Sequence, residues 1–64
     1  MLVPYPYEYH LNSNSLIVIN KISGKQFKTE IEMNPYTLNT IIELNSCLIL
    51  CLDTLTSTHM YYLN

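Results

Sequence analysis

Polar and apolar residues alternate most cleanly in "QFKTEIEM", residues 26–33. Phe27, Thr29, Ile31 and Met33 fall on one side of an extended chain, and Gln26, Lys28, Glu30 and Glu32 on the other. That period of two predicts a strand with one core face and one wet face. The run before it, Leu16 to Ile22, is apolar on both faces, which predicts a strand inside a sheet. Ser23-Gly24 between the two runs predicts a hairpin. Its register stays open. A two-residue turn opposes Ile22 to Lys25, a three-residue turn opposes Lys21 to Lys25, and a slip of one residue exchanges the faces.

Beyond residue 33 the spacing changes. In "NPYTLNTIIELNS", Asn34 suits an N-cap and Pro35 the first helical position. Leu38, Ile41, Ile42 and Asn45 follow an i, i+3, i+4, i+7 series, so a helix is expected over residues 35–45. Its opposite stripe holds Tyr36, Asn39, Thr40 and Glu43. The uninterrupted "CLILCLDTL" reads as a buried strand with Leu48, Leu50 and Leu52 on one side and Cys47, Ile49 and Cys51 on the other. A helix continuing to Leu55 is the competing reading. In the tail, Met60, Tyr61 and Tyr62 add to a contact surface. The expected fold is a small α+β domain of ββαβ order over residues 12–64, an antiparallel sheet with one helix and no internal repeat.

Residues 1–11 stand apart. "VPYPYEYHL" sets Tyr5, Tyr7 and Tyr9 at every second position, and Pro4 and Pro6 exclude helix there. An extended arm results, with the tyrosines on one side and Glu8 and His10 on the other. Tyrosine gives a large contact area with few rotors and one polar tip. The row therefore suits either closure of the core or contact with a second chain.

Composition sharpens the second option. The chain has 64 residues, of which 12% are charged and 48% hydrophobic. A domain this small buries only about 60% of its extended surface, and so few charges leave much of the exterior for another chain to cover. A homodimer is expected. Net charge −2, with Lys21, Lys25 and Lys28 as the basic residues, argues against nucleic acid as a ligand. The lysines read as a solvated hairpin tip. Neither a signal peptide nor a span of roughly 20 apolar residues is evident, so a cytoplasmic, reducing location is expected.

Candidate chemistry is sparse. Cys47, Cys51, His10 and His59 are the residues from which a zinc site would have to be made. Residues four apart on a strand lie roughly 13 Å apart, too far to share an ion or a disulfide. No nucleophile, base and orienting group fall in a catalytic pattern. No metal, cofactor or enzymatic activity is expected, and the function reads as binding.

One resemblance gives that reading a target. The hairpin with "SGKQFKTEIE", a short helix and the apolar "LILCLDTL" resemble, over residues 16–55, the small dimeric uracil-DNA glycosylase inhibitors of Bacillus phages. The resemblance implies a dimer whose groove takes up an apolar side chain of the enzyme and so imitates DNA. The family's aromatic–acid–aromatic contact pattern is not reproduced in order here; the contact surface is expected on the outer stripe of the helix, Tyr36, Asn39, Thr40 and Glu43, with Glu30 and Glu32 nearby. The other class is a non-inhibitory homodimeric module, or an antitoxin-like partner, that docks through Tyr5, Tyr7 and Tyr9.

Overall fold

The computed structural model describes residues 3–31 and 36–64. It holds six antiparallel strands and, among the described residues, no helix. They are β1 (Tyr7–Asn12), β2 (Ser15–Asn20), β3 (Gln26–Glu30), β4 (Thr37–Glu43), β5 (Leu48–Asp53) and β6 (Thr58–Leu63). Each half of the chain is a meander, so the strands form two three-stranded sheets, β1-β2-β3 and β4-β5-β6. The expected α+β fold is thereby corrected to all-β.

The segment expected to be helical, residues 35–45, contains β4. Asn34 and Pro35, on which its start signal rested, lie outside the described residues, as do Glu32 and Met33. The helical spacing of Leu38 and Ile41 has another cause. Leu38 pairs with Leu52 and Thr40 with Cys51, so Asn39 is an extra residue in a bulge. The bulge brings Leu38 and Ile41, three apart in sequence, onto the same inner face. Ile42 then points outward and stays 45% exposed. Four of the seven residues of β4 are β-branched, which favours a pleated strand over a helix.

The β5 expectation agrees with the structure. Leu48, Leu50 and Leu52 are fully buried, and Ile49 and Cys51 lie half-buried on the other side. Phe27 of β3 and Ile31 just after it are buried while Lys28 and Glu30 are exposed, as the alternation predicts. In β2, Leu16 and Val18 point inward, and Ile17 and Ile19 outward. With Leu63 of β6, these inward residues make one cluster drawn from both sheets.

The β2–β3 loop is wider than either turn considered. Ile19 opposes Gln26, and the Asn20 amide donates to the Lys25 carbonyl at 2.9 Å. Asn20 organises the loop: its Oδ1 accepts the amides of Ile22 and Ser23, and its carbonyl accepts that of Gly24. Gly24 takes φ +79°, which a side chain resists. The β1–β2 turn is tight, with Ser13 and Asn14 between the paired Asn12 and Ser15 and with Ser13 at φ 57°.

Tyr7 and Tyr9 of the N-terminal segment belong to β1, which pairs with β2 along its whole length. Both are half-buried against the core, whereas Tyr5 is 77% exposed. Outside, His10 Nε2 lies 2.7 Å from Glu8 Oε1. At one edge the sheets join through the backbone, since Lys28 and Asn64 exchange amide-to-carbonyl bonds of 2.8 and 3.1 Å.

The two meanders also share sequence. Leu11-Asn12-Ser13 precedes Leu16-Ile17-Val18, and Leu44-Asn45-Ser46 precedes Leu48-Ile49-Leu50. Each stretch makes a turn and then the central strand of its sheet. The two stretches differ by one residue in the turn, so their match does not show as a fixed pattern.

Candidate interaction face

The outer faces of the two sheets differ in chemistry. On the first sheet the half-buried Ile17 and Ile19 are flanked by Glu8 and His10 on β1 and by Gln26, Lys28 and Glu30 on β3. Polar and charged side chains thus border the apolar strip. The second sheet has no such border. Strand pairing sets Ile42, Ile49 and Tyr62 side by side in one cross-strand row, and Thr40, Cys51 and Met60 in the next. Met60 is 57% and Tyr62 62% exposed. By alternation Cys47 continues the outer side of β5, next to the exposed Leu44.

At the far end of this face from Leu44 lies a carboxylate. Asp53 accepts hydrogen bonds from Thr58 Oγ1 at 2.6 Å and from Asn39 Nδ2 at 3.0 Å. Those two donors, Thr58 first, hold its carboxyl below the usual carboxylate range. Asn39 comes within reach because the bulge displaces it, so the bulge both turns β4 and fixes the carboxylate.

Residues expected to form a single helix stripe are dispersed. Thr40 lies in the outer row, with its hydroxyl donating to Asn39 Oδ1 at 2.7 Å. Glu43 sits at the inner end of β4, opposite Leu48, where it links the sheets. Its Oε1 accepts from Tyr7 Oη at 2.8 Å and from Asn20 Nδ2 at 2.9 Å. The bonds from Asn20 and then Tyr7 lower the Glu43 pKa. Burial, then the hydrogen bond to Glu43 and its charge, raise that of Tyr7. This clamp draws β1, β2 and β4 together at the edge remote from the Lys28–Asn64 bridge.

Tyr36 lies just before β4, half-buried, edge-on to Tyr61 and His59 at ring centroids 6.1 and 6.0 Å apart. Its hydroxyl is 3.0 Å from that of Tyr61. His59 Nε2 also meets Ser57 Oγ at 3.0 Å. Tyr5 is covered in part by the Lys21 ammonium, 5.7 Å from its ring centroid. Glu30 lines a shallow groove with Asn14, Ile31 and Tyr61. Glu32 lies outside the described residues.

Cys47 and Cys51 are free thiols. No group of three or more His, Cys, Asp or Glu among the described residues is placed to hold a metal. Of the tail residues expected to add to a contact surface, Met60 and Tyr62 lie on this outer face, whereas Tyr61 packs against the core; Ile42 and Ile49 share the face but were not assigned to it from the sequence. The signal was present in β5, whose second apolar face needs a cover. No protein-family model, curated protein or solved structure matches the chain.

Proposed function

We propose that this chain is a non-catalytic protein-interaction module that binds through the outer face of its second sheet. The observation that carries the reading is the row Ile42–Ile49–Tyr62 with Met60 beside it, large apolar side chains open to solvent on a nearly uncharged sheet. Contiguous patches of this kind mark contact sites. Among the described residues, Glu43, Asp53 and His59 each already have partners within the fold. Glu43 closes the core, Asp53 anchors the bulge, and His59 packs on Tyr36. Among the described residues no helix is long and apolar enough to cross a membrane.

Inhibition of a DNA-processing enzyme is one form of this reading, in which the enzyme occupies the face. A uracil-excision assay titrated with the chain and with Met60→Glu tests it. Stoichiometric inhibition by the native chain, lost in the variant, supports an enzyme target on this face. Equal inhibition by both moves the binding surface elsewhere. Where the native chain does not inhibit, affinity capture of candidate partners by the two forms decides the broader reading. Equal retention of every partner by both forms overturns it.

A further inference from the structure

We infer that the partner covering this face is a second copy of the same chain, stacked sheet on sheet about a twofold axis. The inference rests on reading the face as an interface. Three observations select a twin as the occupant. The rows Ile42–Ile49–Tyr62 and Thr40–Cys51–Met60 carry no charge, so two copies meet without repulsion and no oppositely charged partner is called for. The two rows also differ in height. The first is a ridge of large side chains, and the second has Thr40 and Cys51 as a low stretch beside the pliable Met60.

An axis lying between the copies and running across the strands, midway between the two rows, sets each ridge over the low row of its twin. Ile49 then faces Cys51 of the other copy, Ile42 faces Thr40, and Tyr62 faces Met60, a favourable sulfur–aromatic pairing. The third observation is area. Ile42, Met60 and Tyr62 are each about half exposed. At roughly 100 Å² apiece they offer about 300 Å² per copy, or about 600 Å² in all. That is well short of the roughly 1,200 Å² at which stable interfaces begin, so the dimer is a weak, transient one that dissociates on dilution.

The geometry makes the two cysteines opposite probes. With a strand rise of about 3.3 Å, Cys51 and its twin are offset by only about 7 Å along the strands, and facing sheets lie about 10 Å apart. Cys47 and its twin are offset by about 20 Å on the same count. A bismaleimide reaching about 8–10 Å between sulfurs should therefore join Cys47→Ser chains through Cys51 and leave Cys51→Ser chains unjoined. Sedimentation of the full chain from micromolar to millimolar concentration should show a monomer–dimer equilibrium. Met60→Glu, at an exposed position, should shift it to monomer with an unchanged circular-dichroism spectrum.

A chain monomeric throughout overturns the twin. Cross-linking through Cys47 as efficient as through Cys51 overturns it too, because the ridge is then not over the low row. Binding of the candidate enzyme separates the two levels of the argument. A monomeric chain whose enzyme binding is lost in Met60→Glu retains the interface and loses the twin. A monomeric chain whose Met60→Glu variant binds every partner as before loses both.

Discussion

Alanine substitutions along β5 test the fold where it carries most of its burial. Leu48, Leu50 and Leu52 are fully enclosed among side chains from both sheets, while Ile49 and Cys51 lie on the outer side. Leu50→Ala removes buried carbons and leaves a cavity, at a cost of about 3 kcal/mol. Ile49→Ala removes a half-buried side chain from a strand and should cost about 1 kcal/mol. A chain of this length has roughly 3–10 kcal/mol of total stability. Leu50→Ala therefore comes close to unfolding the protein, and Leu50→Val, at about 1 kcal/mol, is the gentler companion.

Urea denaturation followed by far-ultraviolet circular dichroism reads these costs. With a slope of about 1 kcal/mol per molar for a small protein, the midpoint should fall by about 3 M for Leu50→Ala and by about 1 M or less for Ile49→Ala. Leu48→Ala and Leu52→Ala should resemble the former, and Cys51→Ala the latter. The chain must be dilute, so that the proposed association through the outer face does not add to the apparent cost at Ile49. The expected profile over residues 48–52 is high, low, high, low, high. High costs at Leu48, Cys51 and Leu52 with low ones at Ile49 and Leu50 would indicate a helix and refute the sheet.

The clamp at Glu43 gives a pH signature with two limbs. Because folding lowers the Glu43 pKa from its ordinary 4.5, its stabilisation is complete above that value and lost as pH falls through the folded pKa. Acid melts should find the native chain losing stability faster than Glu43→Gln, measured in an Asp53→Asn background because Asp53 shifts the same way. Tyr7 is raised above 10.0, so its contribution holds below that pH and is lost as pH rises through the folded pKa; Tyr7→Phe should flatten the alkaline limb. Removing Leu63 and Asn64 deletes a buried leucine and the bridge to Lys28, and should lower stability by more than about 2 kcal/mol in the same urea assay. Gly24→Ala should cost about 1 kcal/mol from the positive φ alone, since a Cβ there meets nothing within 4 Å; a neutral result would mean that the loop rearranges.

Where one face of a strand is buried and the other wet, the sequence is easily read. Phe27, Lys28, Glu30 and Ile31 lie where their alternation puts them, and "LILCL" is the strand that its length and apolarity imply. β4 was not legible because its bulge imitates a helix. An extra residue at Asn39 converts a separation of two into three, and three is the helical spacing. The hairpin register was illegible for a related reason. The Asn20 side chain, rather than Ser23-Gly24 alone, shapes that loop, and such side-chain-to-backbone bonds leave no mark on hydrophobic periodicity.

The position of the proposed face was not legible in the sequence. Few charges and an excess of apolar surface point to a binding protein, yet the aromatic and acidic residues that draw the eye are largely engaged inside the fold. Tyr7 and Glu43 bond to each other, Tyr9 packs on the core, and Tyr36 meets Tyr61. Locating the face needs the strand register, because Ile42, Ile49 and Tyr62 become neighbours only through pairing. The matching central strands then supply a comparison within one chain. Leu16-Ile17-Val18 and Leu48-Ile49-Leu50 bury alike, so core formation makes the same demand on both sheets. It makes no demand on the strands flanking their outer sides. There the first sheet carries Glu8, His10, Lys28 and Glu30, and the second carries Ile42, Met60 and Tyr62. The two central strands bury alike, so core formation does not account for the contrast outside them, and that contrast is what the proposed contact rests on.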